Sequence, residues 1–199
     1  TADLIRTMGN DSLPPRIQRL LNDAATQVGL LVDVLRRVLD LGSLGSRADC
    51  ERADLLQPRE FVADLMRRLE PTAKRKGIAL ALYTPRDLPP LQTDTSRLSR
   101  ILHHLLSNAI KYTSEGRVEV RLERTTHRIG RGRAEPVLAI HVKDTGKGIA
   151  PADLERLFEP FTQVDEGART DSRSRGIGLG LPLARQLART LGGDVTLRS

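Results

Sequence analysis

Aromatic side chains make up only 3% of this chain and tryptophan is absent, so its core has to be aliphatic. Cysteine occurs once, at Cys50, which excludes an internal disulfide framework and suits a reducing, cytosolic setting. No run of about 18 apolar residues is present, so this stretch neither spans a membrane nor carries a signal peptide. Membrane attachment is expected only through regions outside it. A Walker-type lysine after a glycine-rich loop is also missing, which removes the P-loop NTPases. What remains is 199 residues, enough for one sizeable core and an accessory element.

Positive charge is in excess, with 32 Lys and Arg against 25 Asp and Glu, a net charge of +7. Such a balance raises nucleic-acid binding as a function. Here the arginines are scattered among acidic residues and lack aromatic interleaving, so no nucleic-acid partner is expected. The one local cluster, His127-Arg-Ile-Gly-Arg-Gly-Arg133, reads as a hairpin loop between strands at 117–125 and 136–143.

Three segments carry chemistry. Asp144-Thr-Gly-Lys-Gly-Ile149 follows a strand with apolar residues at Val137, Ala139 or Ile140, and Val142, which puts Asp144 at a strand end. A carboxylate there only accepts hydrogen bonds, so it suits the exocyclic amino group of adenine and opposes the guanine oxygen. Gly146 and Gly148 allow a tight turn beside a base, and Ile149 would cap its apolar face. Gly176, Gly178 and Gly180 stand ahead of an apolar-periodic helix at 181–191. Its N-terminal N–H groups and positive dipole end suit phosphate, with Leu179 in the same loop. A Rossmann motif is excluded, because the polar stretch 162–175 precedes these glycines where that fold needs a strand.

The third segment is a helix near 94–113, on which Leu98, Ile101, Leu102, Leu105, Ala109 and Tyr112 mark the apolar face. His104, Asn108 and Lys111 lie one turn apart on a neighbouring face. An amide oxygen is a sound magnesium ligand when substrate phosphates supply the others, so Asn108 is the metal candidate. Lys111 would meet a phosphate and Tyr112 would flank the base. In this order, the three segments describe a pocket for adenine, a metal ion and a triphosphate.

With these residues in view, the chain resembles the ATP-binding catalytic domain of two-component sensor histidine kinases, within the ATPase superfamily that includes gyrase and Hsp90. His104–Thr113 is similar to the family's N box, Asp144–Ile149 to its G1 box, Leu157–Phe161 with Phe158 to its F box, and Arg175–Leu181 to its G2 box. The resemblance implies a Bergerat-type (GHKL) two-layer α/β sandwich, a mixed sheet with helices on one face. It implies ATP and Mg2+ as ligands, with His104, Asn108 and Lys111 in catalytic roles. Arg173 and Arg175 would reach the γ-phosphate from a lid over about 162–175. The family commonly has Asn where His104 stands. A histidine there could donate to the γ-phosphate or accept a proton. The segment 193–198 is expected to begin a closing hairpin whose further strand is not in this sequence.

Before that domain, Ile17, Leu21, Ala24, Val28, Leu31, Leu35 and Val38 alternate steps of four and three, a heptad seam on a helix at 15–41. The resemblance makes residues 1–48 a partial dimerisation hairpin and 49–199 the catalytic domain. The family's phosphoacceptor motif is absent; the four histidines, 103, 104, 127 and 141, all fall in the second part, and His141 is expected to be a packed strand residue. Histidine kinase activity toward an acceptor outside this chain is therefore expected, in the cytosolic part of a membrane-anchored bacterial sensor. Its partners would be a second copy and a response regulator or receiver domain. The alternative is a kinase-like regulatory module that pairs with another sensor kinase. Further strands are expected near 53–57 and 78–83 and a helix near 58–76.

Overall fold

The computed structural model describes residues 53–128, 134–163 and 178–199, together with Ile17. The chain divides into two units, Thr1–Gly45 and Ser46–Ser199. Of the first, Ile17 is helical and 43% exposed. The rest of the 15–41 helix lies outside the described residues, as do Arg173, Arg175, Gly176 and nearly all of the expected lid.

The second unit runs β1 (Asp54–Leu56), α1 (Pro58–Arg75), β2 (Ile78–Tyr83), β3 (Leu91–Thr93), α2 (Thr95–Tyr112), β4 (Gly116–Arg128), β5 (Ala134–Asp144) and α3 (Gly180–Thr190). Single 3-10 turns occur at Pro151–Asp153 and Arg156–Phe158. Helix α1 opens on Pro58, whose fixed φ suits the first helical position, and buries Val62, Leu65, Met66 and Ala73 along one stripe. Helix α2 starts where the Asp94 carboxylate accepts the Arg97 N–H at 2.9 Å.

The buried stripe of α2 differs in part from the expectation. Leu98, Ile101, Leu102, Leu106, Ala109 and Ile110 are buried, whereas Leu105 is half-buried and Tyr112 is 46% exposed. The stripe follows steps of four through Leu98, Leu102, Leu106 and Ile110, so it drifts around the helix and leaves Tyr112 outside.

A three-stranded sheet has the order β2-β4-β5, parallel on one side and antiparallel on the other. Val118, Val120 and Leu122 point into the core at 0%, 0% and 1% exposure, while Arg117, Arg121 and Glu123 face away. Opposite them, Ile140 and Val142 add to the same apolar layer. Helices α1 and α2 contribute the other half of that core, which makes the two-layer α/β sandwich. Pairing with β2 ends at Tyr83↔Arg121, beyond which β4 and β5 continue as a two-stranded ribbon to Arg128↔Ala134. Both strands are therefore longer than their apolar alternation suggests.

Three further expectations change. His141 is not packed: it lies opposite Arg121 on the open face, 57% exposed, with Nε2 3.5 Å from the Glu123 carboxylate. Strand β3, which pairs antiparallel with β1 in a separate small sheet, has only three residues and follows two prolines, so it shows no alternation to read. Residues 193–198 form no strand. Instead Asp194 accepts the Val195 N–H at 2.8 Å and Val195 is buried, so this segment is anchored by side chains rather than by a ladder.

Candidate functional site

Asp144 is the last residue of β5 and lies in register with Val118, at the end of the row that contains Ile140 and Val142. Strand periodicity thus carries a carboxylate to the edge of the helix-facing surface, where it is exposed. Its Oδ1 accepts the Gly146 N–H at 2.8 Å. A Cβ on Gly146 would stand 2.7 Å from the Tyr112 carbonyl oxygen and 2.8 Å from Asp144 Oδ1. The turn therefore abuts the last residue of α2, and only glycine fits between them. Gly148 has a φ of 76°, the left-handed conformation expected of it, whereas Gly146 serves through its missing side chain. Ile149 is half-buried and donates its N–H to Ser199 Oγ at 2.7 Å. Thr145 ties the turn to β4, accepting the Arg117 N–H at 3.1 Å through Oγ1.

On α2, His104, Asn108 and Lys111 are half-buried on the face beside the core stripe. Lys111 Nζ lies 4.9 Å from the centre of the Tyr112 ring. The His103 and His104 rings meet edge to face at 6.4 Å, and the His104 carbonyl accepts from Ser107 Oγ at 3.2 Å. Among the described residues no cluster of three His, Cys, Asp or Glu could hold a metal. Asn108, the metal candidate expected from the sequence, would bring one amide oxygen, which suits only an ion held mainly by phosphate and water.

The F-box and G2 segments meet through backbone. Gly178 adopts φ 73°, and its carbonyl accepts the Phe161 N–H at 3.1 Å. A Cβ on Gly178 would stand 2.6 Å from the Thr162 oxygen. Gly180 begins α3, which has no side-chain cap at its N-terminus. Leu179 does not present its side chain to a ligand, since it is fully buried at 0% exposure; only its backbone can take part.

One residue without a motif organises this corner. The Arg185 guanidinium lies 4.3 Å from the centre of the Phe158 ring, and donates to Asp194 at 3.1 Å and to Glu155 at 3.4 Å. It joins the second 3-10 turn with its N-cap residue Glu155, α3 and the C-terminal segment. Sequence reasoning missed it because its partners lie 9 and 30 residues away.

Partial burial pushes the Asp194 carboxyl up, but the Val195 N–H and the Arg185 and Arg189 guanidinium groups outweigh it and hold the carboxyl below its ordinary value. A depressed carboxyl stabilises the fold above its unfolded pKa, and that contribution is lost as pH falls through the folded value. Asp194→Asn should therefore lower the thermal midpoint at neutral pH, for a loss of stability of no more than about 1 kcal/mol from a partly exposed pair. The gap should close on acidification below about pH 4. A gap that persists in acid would refute the ionic account.

Among the described residues no helix is long and apolar enough to cross a membrane. Residues 93–199 match the family described as Histidine kinase-, DNA gyrase B-, and HSP90-like ATPase. Sensor histidine kinase RcsC of Escherichia coli K12 is 31% identical over 99% of this chain, which spans 19% of that protein. The crystal structure of full-length ShkA in complex with AMPPNP is similar over 96% of this chain and 37% of that one, with a TM-score of 0.75 and 27% identity. The histidine kinase ThkA, solved in complex with response regulator protein TrrA, shares the fold over 98% of this chain and 51% of that one, at a TM-score of 0.67 and 16% identity. With that family match over more than half of its length, the chain belongs to the histidine kinase-, DNA gyrase B- and HSP90-like ATPases, and carries a catalytic domain of the histidine kinase kind.

Proposed function

We propose that this chain is the ATP-binding catalytic part of a sensor histidine kinase. It would pass the γ-phosphoryl of ATP to a histidine outside this chain, for relay to an aspartate of a response regulator. The observation that carries the reading is the junction of Asp144, Gly146 and the Tyr112 carbonyl, which sets an adenine-type acceptor against the end of the helix bearing Asn108 and Lys111. The AMPPNP bound to ShkA and the partner of ThkA support the nucleotide and the response regulator respectively.

In this reading Asp144 accepts from the adenine amino group, and the half-buried Lys111 neutralises phosphate charge. The N–H groups of Gly180 and Leu181 at the start of α3 do the same. Magnesium, held by Asn108 together with phosphate and water, would supply charge neutralisation at the β- and γ-phosphates. Arg173 and Arg175 would add to it from the lid. Residues 1–48 act as the dimerisation part, pairing two copies through the 15–41 seam, and 49–199 as the catalytic part. The site would work in the cytosol, where ATP is available, with any membrane anchor elsewhere in the protein.

Full-length protein incubated with Mg-ATP should form acid-labile phosphohistidine outside this chain. His104→Ala should slow that labelling more than it weakens ATP binding, because a group at the γ-phosphate matters most in the transition state. Absence of ATP binding would refute the reading outright. Equal losses in binding and labelling would reduce His104 to a ground-state contact.

A further inference from the structure

Helix α2 ends without the glycine that often closes a helix. Its C-cap residue Thr113 is extended at φ −91° and ψ 124°, so the chain leaves the last turn without curling back over its carbonyls. The final carbonyls of a helix have no partners within it and need them from elsewhere. The Ala109 carbonyl takes the Thr113 N–H at 3.1 Å and the Thr113 hydroxyl at 2.7 Å. Three others converge on one side chain from another helix: Lys76 Nζ donates to the carbonyls of Ile110 at 2.7 Å, Lys111 at 2.8 Å and Thr113 at 2.7 Å.

An ammonium has three N–H donors, and all three are matched here. Its charge also sits at the negative end of the α2 dipole. The anchor is placed from its own side as well. Lys76 is the C-cap of α1 and precedes Gly77 at φ 68°, so its stem leaves a closed turn and crosses a groove lined by Leu69, Thr72, Ser107 and Ile110. The carbonyl Lys76 does not take, that of Tyr112, is the one pressed against Gly146. The end of α2 is thus held from one side by α1 and from the other by the turn after Asp144. Lys111 and Tyr112 are the residues these two grips hold, one through each carbonyl.

We propose that Lys76 is a positioning residue for the nucleotide: it sets the end of α2, and with it Lys111, Tyr112 and the depth at which Gly146 and Asp144 meet the base. This rests on the ATP-binding reading given above. No side-chain motif marks it, because its partners are backbone oxygens 34–37 residues away.

The test uses the whole 199-residue chain, with ATP affinity by calorimetry and the thermal midpoint measured on each variant. Lys76→Met keeps the stem and removes the donors, and should weaken ATP binding about tenfold while the chain remains folded at the assay temperature. Lys76→Arg keeps the charge, but its planar fork does not bring three donors onto three converging oxygens. It should hold the midpoint near that of the unaltered chain and still bind ATP weakly.

Rescue separates position from packing. In a Cys50→Ser background, Lys76→Cys treated with bromoethylamine gains a lysine isostere and should recover affinity to within about twofold of the parent chain. Ethylation of the same thiol restores bulk without donors and should not. An unaltered affinity in Lys76→Met, or recovery on ethylation, overturns the positioning role alone. Failure of the unaltered chain to bind ATP overturns the functional reading, and this role with it.

Discussion

Asp144→Asn is expected to lower ATP affinity about 10- to 150-fold, the equivalent of losing roughly 1.5–3 kcal/mol from a hydrogen bond to a charged acceptor. The thermal midpoint should barely move. An asparagine keeps an oxygen for the Gly146 N–H, now made at 2.8 Å, and the side chain is exposed, so the turn survives. What changes is the face offered to the base. The amide places an NH2 where a second acceptor oxygen stood, and a donor then opposes the adenine amino group. The unaltered chain should prefer ATP strongly to GTP, and in the variant that preference should shrink because only the ATP complex loses a bond. Calorimetric titration of both nucleotides into both proteins decides it. Equal binding of ATP and GTP by the unaltered chain, or an indifferent variant, would remove Asp144 from the site.

The sandwich was legible because its long elements carry clean periods. Helix α2 repeats apolar residues every three or four positions behind an Asp94 cap, and β4 alternates Val118, Val120 and Leu122 with charged residues. Asp144 was legible for the same reason: a period of two, counted from Val142, places it on the helix-facing row. Less of the sequence's regular pattern reaches the short pieces. Strand β3 has three residues, and the 193–198 segment has strand-like composition but no partner ladder among the described residues. Composition alone does not form a strand, because its N–H and C=O groups need a neighbour.

The site divides in a similar way. Side chains proposed for the ligand belong to local motifs, so Asn108, Lys111, Asp144 and the glycines stand out in the sequence as candidates. Groups that speak to the protein backbone have no local signature. Lys76 grips carbonyls across a helix pair, and Arg185 collects Phe158, Glu155 and Asp194 from separate segments. Leu179 shows the opposite case. It sits inside a ligand motif, yet its side chain is buried, because the residue before α3 also continues the apolar stripe of Leu183 and Leu187.

Gly146→Ala is expected to cost about 1–3 kcal/mol of stability, as overpacking usually does, and to lower ATP affinity about 100-fold. The new methyl would stand 2.7 Å from the Tyr112 carbonyl oxygen, a backbone atom, and 2.8 Å from Asp144 Oδ1. A flexible side chain could swing aside. The Tyr112 carbonyl cannot do so alone, because Lys76 holds the carbonyls of residues 111 and 113 on either side of it. The turn after β5 must therefore move outward, carrying Asp144 away from Tyr112 and Lys111. Reacting and binding groups displaced by about an ångström lose most of their use, which is why affinity should fall further than stability. Gly192→Ala supplies the control. Gly192 has a φ of 79°, but a methyl there meets nothing within 4 Å, so alanine adds left-handed strain of about 1–2 kcal/mol without a clash. It should lower the thermal midpoint comparably and leave ATP binding as it was. If both variants bind ATP alike, the close approach of the Asp144 turn to α2 does not shape the site. If Gly146→Ala alone loses the nucleotide, the gap between Tyr112 and Asp144 sets the adenine pocket.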